Sequence, residues 1–359
     1  MSLAKALKTA FSRRDAYLYH ASWARLMRKP GLVARLVRLY ATYLLTDKSP
    51  LRLLDMAITA SCQYRCPHCY PDRFYEDGRT PLSVEDMGRI MARARELGVV
   101  QFNFQGGEPT LDLDRLAAIV ALAEPSRSYI SLSSNGYRHK LEDLQRIRAM
   151  GVDKIAYSLH SGIPAEHDAF VGSEGAYDRV LTCLDNAPRA GLEATLAMVV
   201  SRENIRSEGV AKVMELCIKR EIILDVNIGA PVGRWMGEED VLLSEADFRW
   251  LDEVNRTHPN IRRDLHPHLF RTGCLAAKEI LYVNVFGEVL TCPFLHFSLG
   301  NARTADLKRM RDTALANPWF ATHHPKCLAA EDPEFFRKHM SQVFQAKSVP
   351  VPWSETLGK

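Results

Sequence analysis

Three cysteines stand close together in the stretch Ser61-Cys62-Gln63-Tyr64-Arg65-Cys66-Pro67-His68-Cys69-Tyr70. Their spacing is C-x3-C-x2-C, directly after an apolar run at 51–60 that predicts a strand. Thiolate is a soft ligand, so three thiolates on one loop can converge on a metal ion or a cluster. Because a [4Fe–4S] cluster usually takes four cysteines, three would leave one iron open to a ligand that is not protein.

Two other interpretations of these cysteines stay open at this point. A zinc loop would take its fourth ligand from His68 or from a distant histidine. Disulfides are disfavoured, because the chain has 8 cysteines in 359 residues, shows no secretory signal and is long enough not to need covalent links. The surrounding loops must therefore decide between zinc and an iron–sulfur cluster.

The composition is typical of a globular protein with one large domain or two, with 47% apolar and 25% charged residues. The longest apolar runs, such as 116–123 and 194–200, are too short to cross a bilayer. Lys8, Arg13 and Arg14 interrupt any apolar segment of a signal peptide near the start. We therefore expect a cytoplasmic protein with reduced thiols.

Positive charge is concentrated in residues 1–50, which contain 10 Lys and Arg against 2 Asp, whereas the whole chain carries only +4. This basic arm predicts two helices broken at Pro30-Gly31. The second helix sets an apolar face of Leu32, Leu36, Leu39, Tyr40, Tyr43 and Leu44 opposite Arg35, Arg38 and Thr42. Such a helix either lies on an anionic membrane surface, which would suit a lipid-linked substrate, or packs across the closed end of the protein body.

From residue 51 the chain alternates between β-branched apolar runs and amphipathic segments, which predicts a parallel α/β sheet. The predicted strands lie at about 53–59, 99–105, 128–133, 153–159, 194–200 and 222–228. The predicted helices lie at 84–97, 112–123, 139–150, 176–190 and 205–220, with Ser83 as the N-cap of the first and Asp86 three residues on. Six units fit a partial (β/α)6 barrel of the TIM type better than a closed eight-stranded barrel.

A polar signature follows every predicted strand. After the cysteine loop come Gly106-Gly107-Glu108-Pro109, Ser133-Ser134-Asn135-Gly136, Ser158-Leu159-His160-Ser161, Ser201-Arg202-Glu203-Asn204 and Gly229-Ala230-Pro231-Val232-Gly233-Arg234. The carboxyl ends of parallel strands form the active face of such folds. Turn chemistry explains the glycines but not the combination of Cys, Glu, Asn and His on one face. The pattern therefore predicts a single site there.

The cysteine loop followed by Gly106-Gly107-Glu108-Pro109 resembles the radical S-adenosylmethionine (SAM) enzymes over about residues 50–230. The resemblance implies a [4Fe–4S] cluster on Cys62, Cys66 and Cys69, with SAM chelated to the open iron. It implies that Gly106, Gly107 and Glu108 receive the methionine amino group and that His68 lies near adenine. Ser134, Asn135 and Ser158 are then ribose or carboxylate contacts. His160 stands where many relatives have an aspartate.

The chemistry of that family sets further requirements. Reductive cleavage of the sulfonium C–S bond needs a strongly reducing electron, within reach of the lowest iron–sulfur potentials of about −700 mV. The electron would come from a low-potential donor of the flavodoxin or ferredoxin type. The 5′-deoxyadenosyl radical would then abstract hydrogen from a substrate at the barrel mouth, so the protein must orient that substrate and exclude water.

Past residue 235 the alternation stops. Ser244 is expected to cap a helix to about Val254, followed by a connection at 258–270 that is rich in Pro and His. A hairpin of 280–285 and 289–291 around Gly287 and a helix at 304–315 complete the predicted elements.

Cys274, Cys292 and Cys327 in this region resemble the auxiliary-cluster extension of radical SAM enzymes in its short "twitch" form, since the full SPASM extension carries seven cysteines. The resemblance implies an auxiliary [4Fe–4S] cluster. Its fourth position is then open or filled by a group such as His296, His323 or His324. The alternative is three unrelated buried cysteines. Cys183 and Cys217 fall within predicted helices and are expected in the core.

The expected organisation is a basic helical arm at 1–50, a radical SAM partial barrel at 51–235 and a small α+β auxiliary-cluster domain at 236–359. The expected activity is hydrogen abstraction from a small-molecule or lipid-linked substrate. A peptide maturase is the alternative, although the arm is too short for a winged-helix peptide-binding domain. A non-catalytic iron–sulfur or zinc module would not need the Gly106–Glu108 loop. Nucleic acid is not expected as a partner, because no basic aromatic patch is present.

Overall fold

The computed structural model describes residues 28–46, 49–75, 78–263, 265 and 273–358. Six parallel strands form the predicted partial barrel in chain order: β1 Leu53–Thr59, β2 Gln101–Gly106, β3 Tyr129–Ser134, β4 Lys154–Ser158, β5 Glu193–Val200 and β6 Leu224–Ile228. Each strand pairs in parallel with the next along the chain. All six carboxyl ends therefore lie along one rim, as the loop chemistry requires.

The sheet continues beyond these six strands on both sides. β7 Ile261–Arg263 pairs in parallel with β6, so the prediction that 258–270 is only a connection is wrong for these three residues. On the other side, β8 Ile280–Val283 pairs in parallel with β1, and β9 Val289–Leu290 pairs antiparallel with β8. The resulting order, β7-β6-β5-β4-β3-β2-β1-β8-β9, has two different edge strands, so the barrel stays open.

Helices pack around the sheet. They are α1 Pro30–Thr46, α2 Val84–Glu96, α3 Leu113–Leu122, α4 Leu141–Ala149, α5 Pro164–Val171, α6 Ala176–Arg189, α7 Glu208–Arg220, α8 Glu245–Thr257 and α9 Leu307–Ala316. The predicted cap at Ser83 is present as a capping box with Asp86, and Ser244 caps α8 in the same way. α5 was not predicted, because its sequence has no clear amphipathic pattern. Cys183 in α6 and Cys217 in α7 are fully buried, as expected.

Shorter elements complete the chain. They are the turns of helix Asp72–Tyr75, Pro109–Leu111, Gly233–Trp235, Glu239–Val241, Pro318–Ala321, Pro333–Phe335, Phe336–Met340, Ser341–Phe344 and Trp353–Glu355, and the parallel pair β10 Phe297–Ser298 and β11 Val351–Pro352. The predicted hairpin is confirmed as β8–β9, with Gly287 at φ +93° in its turn.

The segment after residue 235 shares the sheet and the hydrophobic core of the barrel. Phe104 of β2, Tyr282 of β8 and Phe297 of β10 are all fully buried in one continuous cluster. At the start of β1, Arg52 Nε donates to Glu279 Oε2 at 2.6 Å, next to β8. The main sheet therefore continues past residue 235. The domain boundary at that residue stays a prediction.

α1 packs against the amino-terminal ends of the strands. Leu32 and Leu39 are buried together with Val100, and Arg35 Nη2 donates to the Val99 carbonyl at 2.5 Å. α1 therefore packs across the closed end of the protein body, which is the second of the two interpretations of this helix. The predicted helix before it lies outside the described residues. Within the described part of the chain, no helix is long and apolar enough to cross a bilayer.

Candidate functional site

The first triad, Cys62, Cys66 and Cys69, lies in the loop that follows β1, with Cys62 exposed and the other two half-buried. Tyr64 anchors the loop, because its ring is buried against α5 and α6. Arg179 of α6 donates to the Tyr64 hydroxyl at 2.9 Å. Tyr64 thus fixes the middle of the loop, and the thiols lie on either side of it. The position of Tyr64 between two cysteines could have suggested this anchoring role.

Arg234 holds the same loop from the end of β6. Its Nη1 donates to the Cys66 carbonyl at 3.2 Å, and its backbone N–H donates to the Cys69 carbonyl at 3.2 Å. Its Nη2 also bonds Asp72 Oδ1 at 2.8 Å. Gly233 has φ +62°, and a Cβ there would lie 2.1 Å from the Cys69 carbonyl oxygen. Only glycine allows this approach, so the last strand loop clamps the first.

The thiols of the first triad resist ionisation in the protein alone. Burial raises the pKa of Cys66 to about 11 and that of Cys69 to about 12, and the neighbouring thiols of the triad add to both increases. Burial also raises the pKa of Cys62, although the Tyr64 N–H and Asn135 amide oppose the change. Mutually repelling thiolates are stabilised by a shared cation, and metal ligation deprotonates thiols outright. The donor set therefore fits a thiolate-ligated metal centre.

Gly106 and Gly107 join the loop after β2 to the start of the cysteine loop. Gly107 N donates to the Thr59 carbonyl at 2.7 Å. A Cβ on Gly106 would lie 2.3 Å from the Thr59 oxygen, and one on Gly107 would lie 2.1 Å from the Ser61 oxygen. Both glycines are therefore required by this backbone contact. Their contact with a methionine amino group stays a prediction.

Glu108 is buried and ties the loops after β2 and β3 together. Its carboxylate accepts from Thr110 N at 3.0 Å, Thr110 Oγ1 at 2.6 Å, Ser134 Oγ at 2.9 Å and Asn135 N at 2.7 Å. Burial raises the pKa of Glu108, and these four hydrogen bonds limit the increase. The carboxylate and the Ser134 hydroxyl, both predicted SAM contacts, are thus engaged with each other here.

Asn135 reaches the cysteine loop directly. Its Nδ2 donates to Cys62 Sγ at 3.8 Å, and its Oδ1 accepts from Gln63 Nε2 at 3.0 Å. Tyr137 N also donates to this Oδ1 at 3.0 Å. The site predicted as a ribose or carboxylate contact is therefore adjacent to the first thiol, in a loop that Glu108 already orients.

His68 stands in an aromatic wall behind the first triad. Its ring stacks on Phe170 at 4.9 Å and meets the His160 ring edge at 4.5 Å, with Trp235 at 5.8 Å. Burial lowers the pKa of His68 to about 3, so the ring is neutral at pH 7. His160 Nδ1 accepts from Val199 N at 3.2 Å, which leaves its proton on Nε2. His160, which stands where many relatives have an aspartate, is thus a neutral ring that can donate an N–H.

A cavity of about 520 Å³ runs inside the barrel. Its wall is made by the inward side chains of the strands, including Asp55, Asn103, Gln105, Ser131, Ser133, Ser158, Lys154, Asp225 and Asn227. α1 lines one end of it with Leu32, Leu36 and Tyr40. Arg262 of the short strand β7 enters the wall and bonds Asp225 at 2.7 Å. The predicted contact Ser158 is part of this cavity, beside His160.

The same cavity touches both cysteine regions. His68 and Tyr70 border it from the first loop, and Cys274, Cys292 and Cys327 border it from the segment after residue 235. These three cysteines, which we call the second triad, thus line one cavity, and the Cys274 thiol acts electrostatically on Cys327. That they hold a cluster stays a prediction. Cys183 and Cys217, by contrast, lie away from the cavity wall in α6 and α7.

The thiols of the second triad are surrounded by backbone donors. Cys274 receives the N–H groups of Ala276 and Leu328, and burial raises its pKa despite them. Cys327 receives those of Ala329 and Ala330, while burial, and then the Cys274 thiol, raise its pKa to about 12. Four N–H donors directed at two sulfurs form a pocket for anionic sulfur, which fits a thiolate-ligated centre.

The three histidines considered as a fourth ligand have different surroundings. His324 lies with Nδ1 2.9 Å from the Lys326 carbonyl and Nε2 3.3 Å from Asp332 Oδ2, so both nitrogens are engaged. His296 is fully buried with its ring 4.4 Å from Phe74. The His323 ring lies against Gly273, beside Cys274. A histidine as the fourth ligand stays a prediction.

Across the described ranges, no three His, Cys, Asp or Glu side chains are close enough together to hold a single metal ion. The cysteines of an iron–sulfur cluster each bind a different iron, so their sulfurs stand farther apart than the ligands of one ion.

Residues 56–214 match the model of the radical SAM superfamily. The AdoMet-dependent heme synthase of Nitratidesulfovibrio vulgaris is 24% identical over 290 residues, which cover 72% of this chain and 78% of that protein. The PqqA peptide cyclase of Granulibacter bethesdensis is 30% identical over 162 residues, covering 45% of this chain and 43% of that protein.

Two solved structures share the fold. Streptococcus suis SuiB bound to its precursor peptide SuiA superposes with a TM-score of 0.58 at 17% identity, over 79% of this chain and 69% of that chain. Native anSMEcpe with bound AdoMet superposes with a TM-score of 0.56 at 17% identity, over 85% of this chain and 88% of that chain. The fold, the ordered loops and the family match agree that residues 56–214 form a radical SAM domain, and radical SAM enzymes use a [4Fe–4S] cluster and SAM.

Proposed function

We propose that this enzyme abstracts hydrogen from a small molecule held in the barrel cavity, between the first and second cysteine triads. The observation that carries this proposal is the shared cavity, which is lined by His68 and Tyr70 from the first cysteine loop and by Cys274, Cys292 and Cys327 from the segment after residue 235. A [4Fe–4S] cluster on the first triad would supply the electron that cleaves SAM, and the resulting 5′-deoxyadenosyl radical would take the hydrogen atom. The second triad would hold the auxiliary [4Fe–4S] cluster.

The residues of the chain have separate tasks in this proposal. Cys62, Cys66 and Cys69 hold the first centre, while Tyr64 and Arg234 fix their loop. The neutral ring of His68, stacked on Phe170 and close to Trp235, forms an apolar wall that excludes water beside the centre. Because radicals react with whatever lies next to them, such a wall protects the intermediate until substrate is reached.

The volume of the cavity supports a small-molecule substrate. About 520 Å³ falls within the range of about 300–1,000 Å³ for small-molecule sites. Gln105 at the end of β2 lines the cavity, and its Nε2 is buried without a hydrogen-bond partner among the described residues. A buried amide donor needs an acceptor. We assign Gln105 as a substrate contact that donates to an oxygen or nitrogen of the substrate.

Anaerobic reconstitution followed by reaction with SAM and dithionite tests the first half of the proposal, and we expect methionine and 5′-deoxyadenosine. Incubation with a deuterated extract of small metabolites tests the second half, because the substrate must transfer deuterium to 5′-deoxyadenosine. Gln105→Leu should raise the KM for that substrate while SAM cleavage without substrate stays unchanged. Cleavage of SAM with no deuterium transfer from any small molecule would reject the cavity as the substrate site.

A peptide maturase is the second candidate, supported by the likeness to PqqA peptide cyclase over 162 residues. The heme synthase match extends over 290 residues and favours a small molecule. Deuterium transfer from a peptide fraction of the extract, rather than from the small-molecule fraction, would decide for the maturase.

A lipid-linked substrate and an anionic membrane partner stay predictions. Leu32 and Leu39 of α1 are buried against the barrel, whereas Val37 and Leu45 are exposed at 62% and 84%. Each basic residue near an anionic surface contributes about 1 kcal/mol of attraction. Full-length protein should then sediment with anionic vesicles at low salt and be released by high salt. Failure to bind at low salt would remove the lipid-linked class, and neutral vesicles provide the control.

A further inference from the structure

Lys278 is a buried lysine in the turn that follows Cys274. Its backbone N–H donates to the carbonyls of Leu275 at 3.0 Å and Ala276 at 2.7 Å. The chain therefore folds back on itself, which returns Lys278 to the neighbourhood of Cys274. Arg311 of α9 fixes the turn by donating to the carbonyls of Ala277 at 2.9 Å and Lys278 at 2.7 Å.

The ammonium of Lys278 is in an unusual position for a charged group. The residue is only 8% exposed, and its Nζ has no hydrogen-bond partner among the described residues. Lysine is almost never buried without a compensating group, because an isolated buried ion loses its hydration. The geometry therefore calls for a negative charge close to Nζ.

Two groups act electrostatically on Lys278, and the stronger is the Cys274 thiol. Burial lowers the pKa of Lys278, while Cys274 and then Glu279 oppose that decrease. The Glu279 carboxylate is already bonded to Arg52 at 2.6 Å. The anion that best suits Lys278 is thus ionised sulfur at Cys274, whose thiol also receives two backbone N–H groups.

We propose that Lys278 supplies a fixed positive charge to the centre held by the second triad and thereby raises its reduction potential. The proposal rests on the auxiliary centre of the proposed function. One-electron reduction adds a negative charge to a centre that already carries thiolates. A buried cation beside it stabilises the reduced form more than the oxidised form, and net charge is one of the factors that set iron–sulfur potentials. Lys278 acts through Cys274 and does not itself need to touch substrate.

A redox titration of the full-length chain carrying Cys62→Ala, Cys66→Ala and Cys69→Ala tests this role, because only the second centre can then contribute an electron paramagnetic resonance signal. Lys278→Met removes the charge at similar length, and Lys278→Arg keeps it. At the midpoint of the Lys278 protein, the ratio of reduced to oxidised centre should fall at least about tenfold in Lys278→Met, which equals 59 mV for a one-electron couple. Lys278→Arg should stay close to the Lys278 protein.

The possible outcomes separate charge from structure. Loss of iron in Lys278→Met with full iron in Lys278→Arg also supports the proposal, because assembly then depends on the charge. An unchanged ratio in Lys278→Met at full iron content overturns it, as does loss of iron from both variants. If the protein that lacks the first triad but keeps Lys278 holds no iron, the second centre itself is rejected. SAM cleavage by the wild type is measured separately. A missing second centre can then be distinguished from missing radical SAM activity.

Discussion

The two cysteine triads differ in what surrounds their sulfurs. Cys62 of the first triad is exposed, and side chains from other strands, chiefly Arg234 and Asn135, orient its loop. Cys274 of the second triad is buried, and the backbone N–H groups of Ala276 and Leu328 donate to its sulfur. The two triads therefore differ at one thiol each, because Cys62 is open to an exchangeable ligand such as SAM and Cys274 is not, whereas the other four cysteines are half-buried.

The largest expected effect comes from removing the first triad alone. Cys62→Ala, Cys66→Ala and Cys69→Ala together should abolish SAM cleavage to the level of the reagent blank, because no other described group offers an accessible set of thiolates. Chromatographic measurement of 5′-deoxyadenosine after reconstitution checks this. The same triple change at Cys274, Cys292 and Cys327 is the matched control and should retain cleavage without substrate. Cleavage that survives loss of the first triad contradicts the assignment.

The next effect is on the iron content per chain. Two four-iron clusters give about eight Fe per chain, and replacing either triad by alanine should leave about four. Equal losses would confirm that the triads are independent centres despite their shared cavity. A wild type with about four Fe after complete reconstitution would mean that the second triad holds no cluster, and the comparison between two metal centres would then fail.

Arg234→Met should weaken the first centre and leave the second intact. The guanidinium makes charge-assisted hydrogen bonds to Cys66 and Asp72, and such bonds contribute about 1.5–3 kcal/mol each. We expect at least about a tenfold faster loss of iron from the first centre to a chelator, which corresponds to about 1.4 kcal/mol. Arg206→Met on the outer surface serves as control. Iron loss at the same rate in both variants would show that the loop does not depend on Arg234.

A further effect concerns acid stability beside the first triad. Burial lowers the pKa of His167 to about 4 from its ordinary 6.5, and its Nδ1 accepts from His160 N at 3.1 Å. The unfolded chain takes up this proton as the pH falls below 6.5, whereas the folded chain does not. Stability from neutral His167 is therefore complete above pH 6.5 and is lost as the pH falls towards 4.

His167→Gln should remove part of this acid sensitivity. Between pH 6.5 and 4 the free energy of unfolding of the wild type should fall by up to about 3 kcal/mol more than that of the variant. Urea unfolding of the apo protein at a series of pH values measures the difference. His139→Gln is the surface control. Parallel pH profiles for the wild type and His167→Gln would mean that the ring is not kept neutral by the fold.

Local pattern was sufficient to predict the six barrel strands and the rim on which their polar loops meet, because both depend on residues close in sequence. β7 was missed because three residues, two of them arginine, carry no readable strand pattern. The engagement of Glu108 with Ser134 and the clamp from Arg234 to Cys66 were also missed. These contacts join residues 26 and 168 positions apart, and only the closed fold brings them together.

The pairing of β1 with β8 has a consequence for how the protein is made. Arg52 and its partner Glu279, at the start of this pairing, are 227 residues apart, so β1 emerges long before its second neighbour. At about 5–20 residues per second this interval lasts roughly 10–45 s. During that time the edge of β1 presents unpaired backbone groups next to the buried side chains Leu54 and Met56, which is a template for association with other chains. The edge of β1 in a nascent chain therefore stays open to association until β8 has been synthesised.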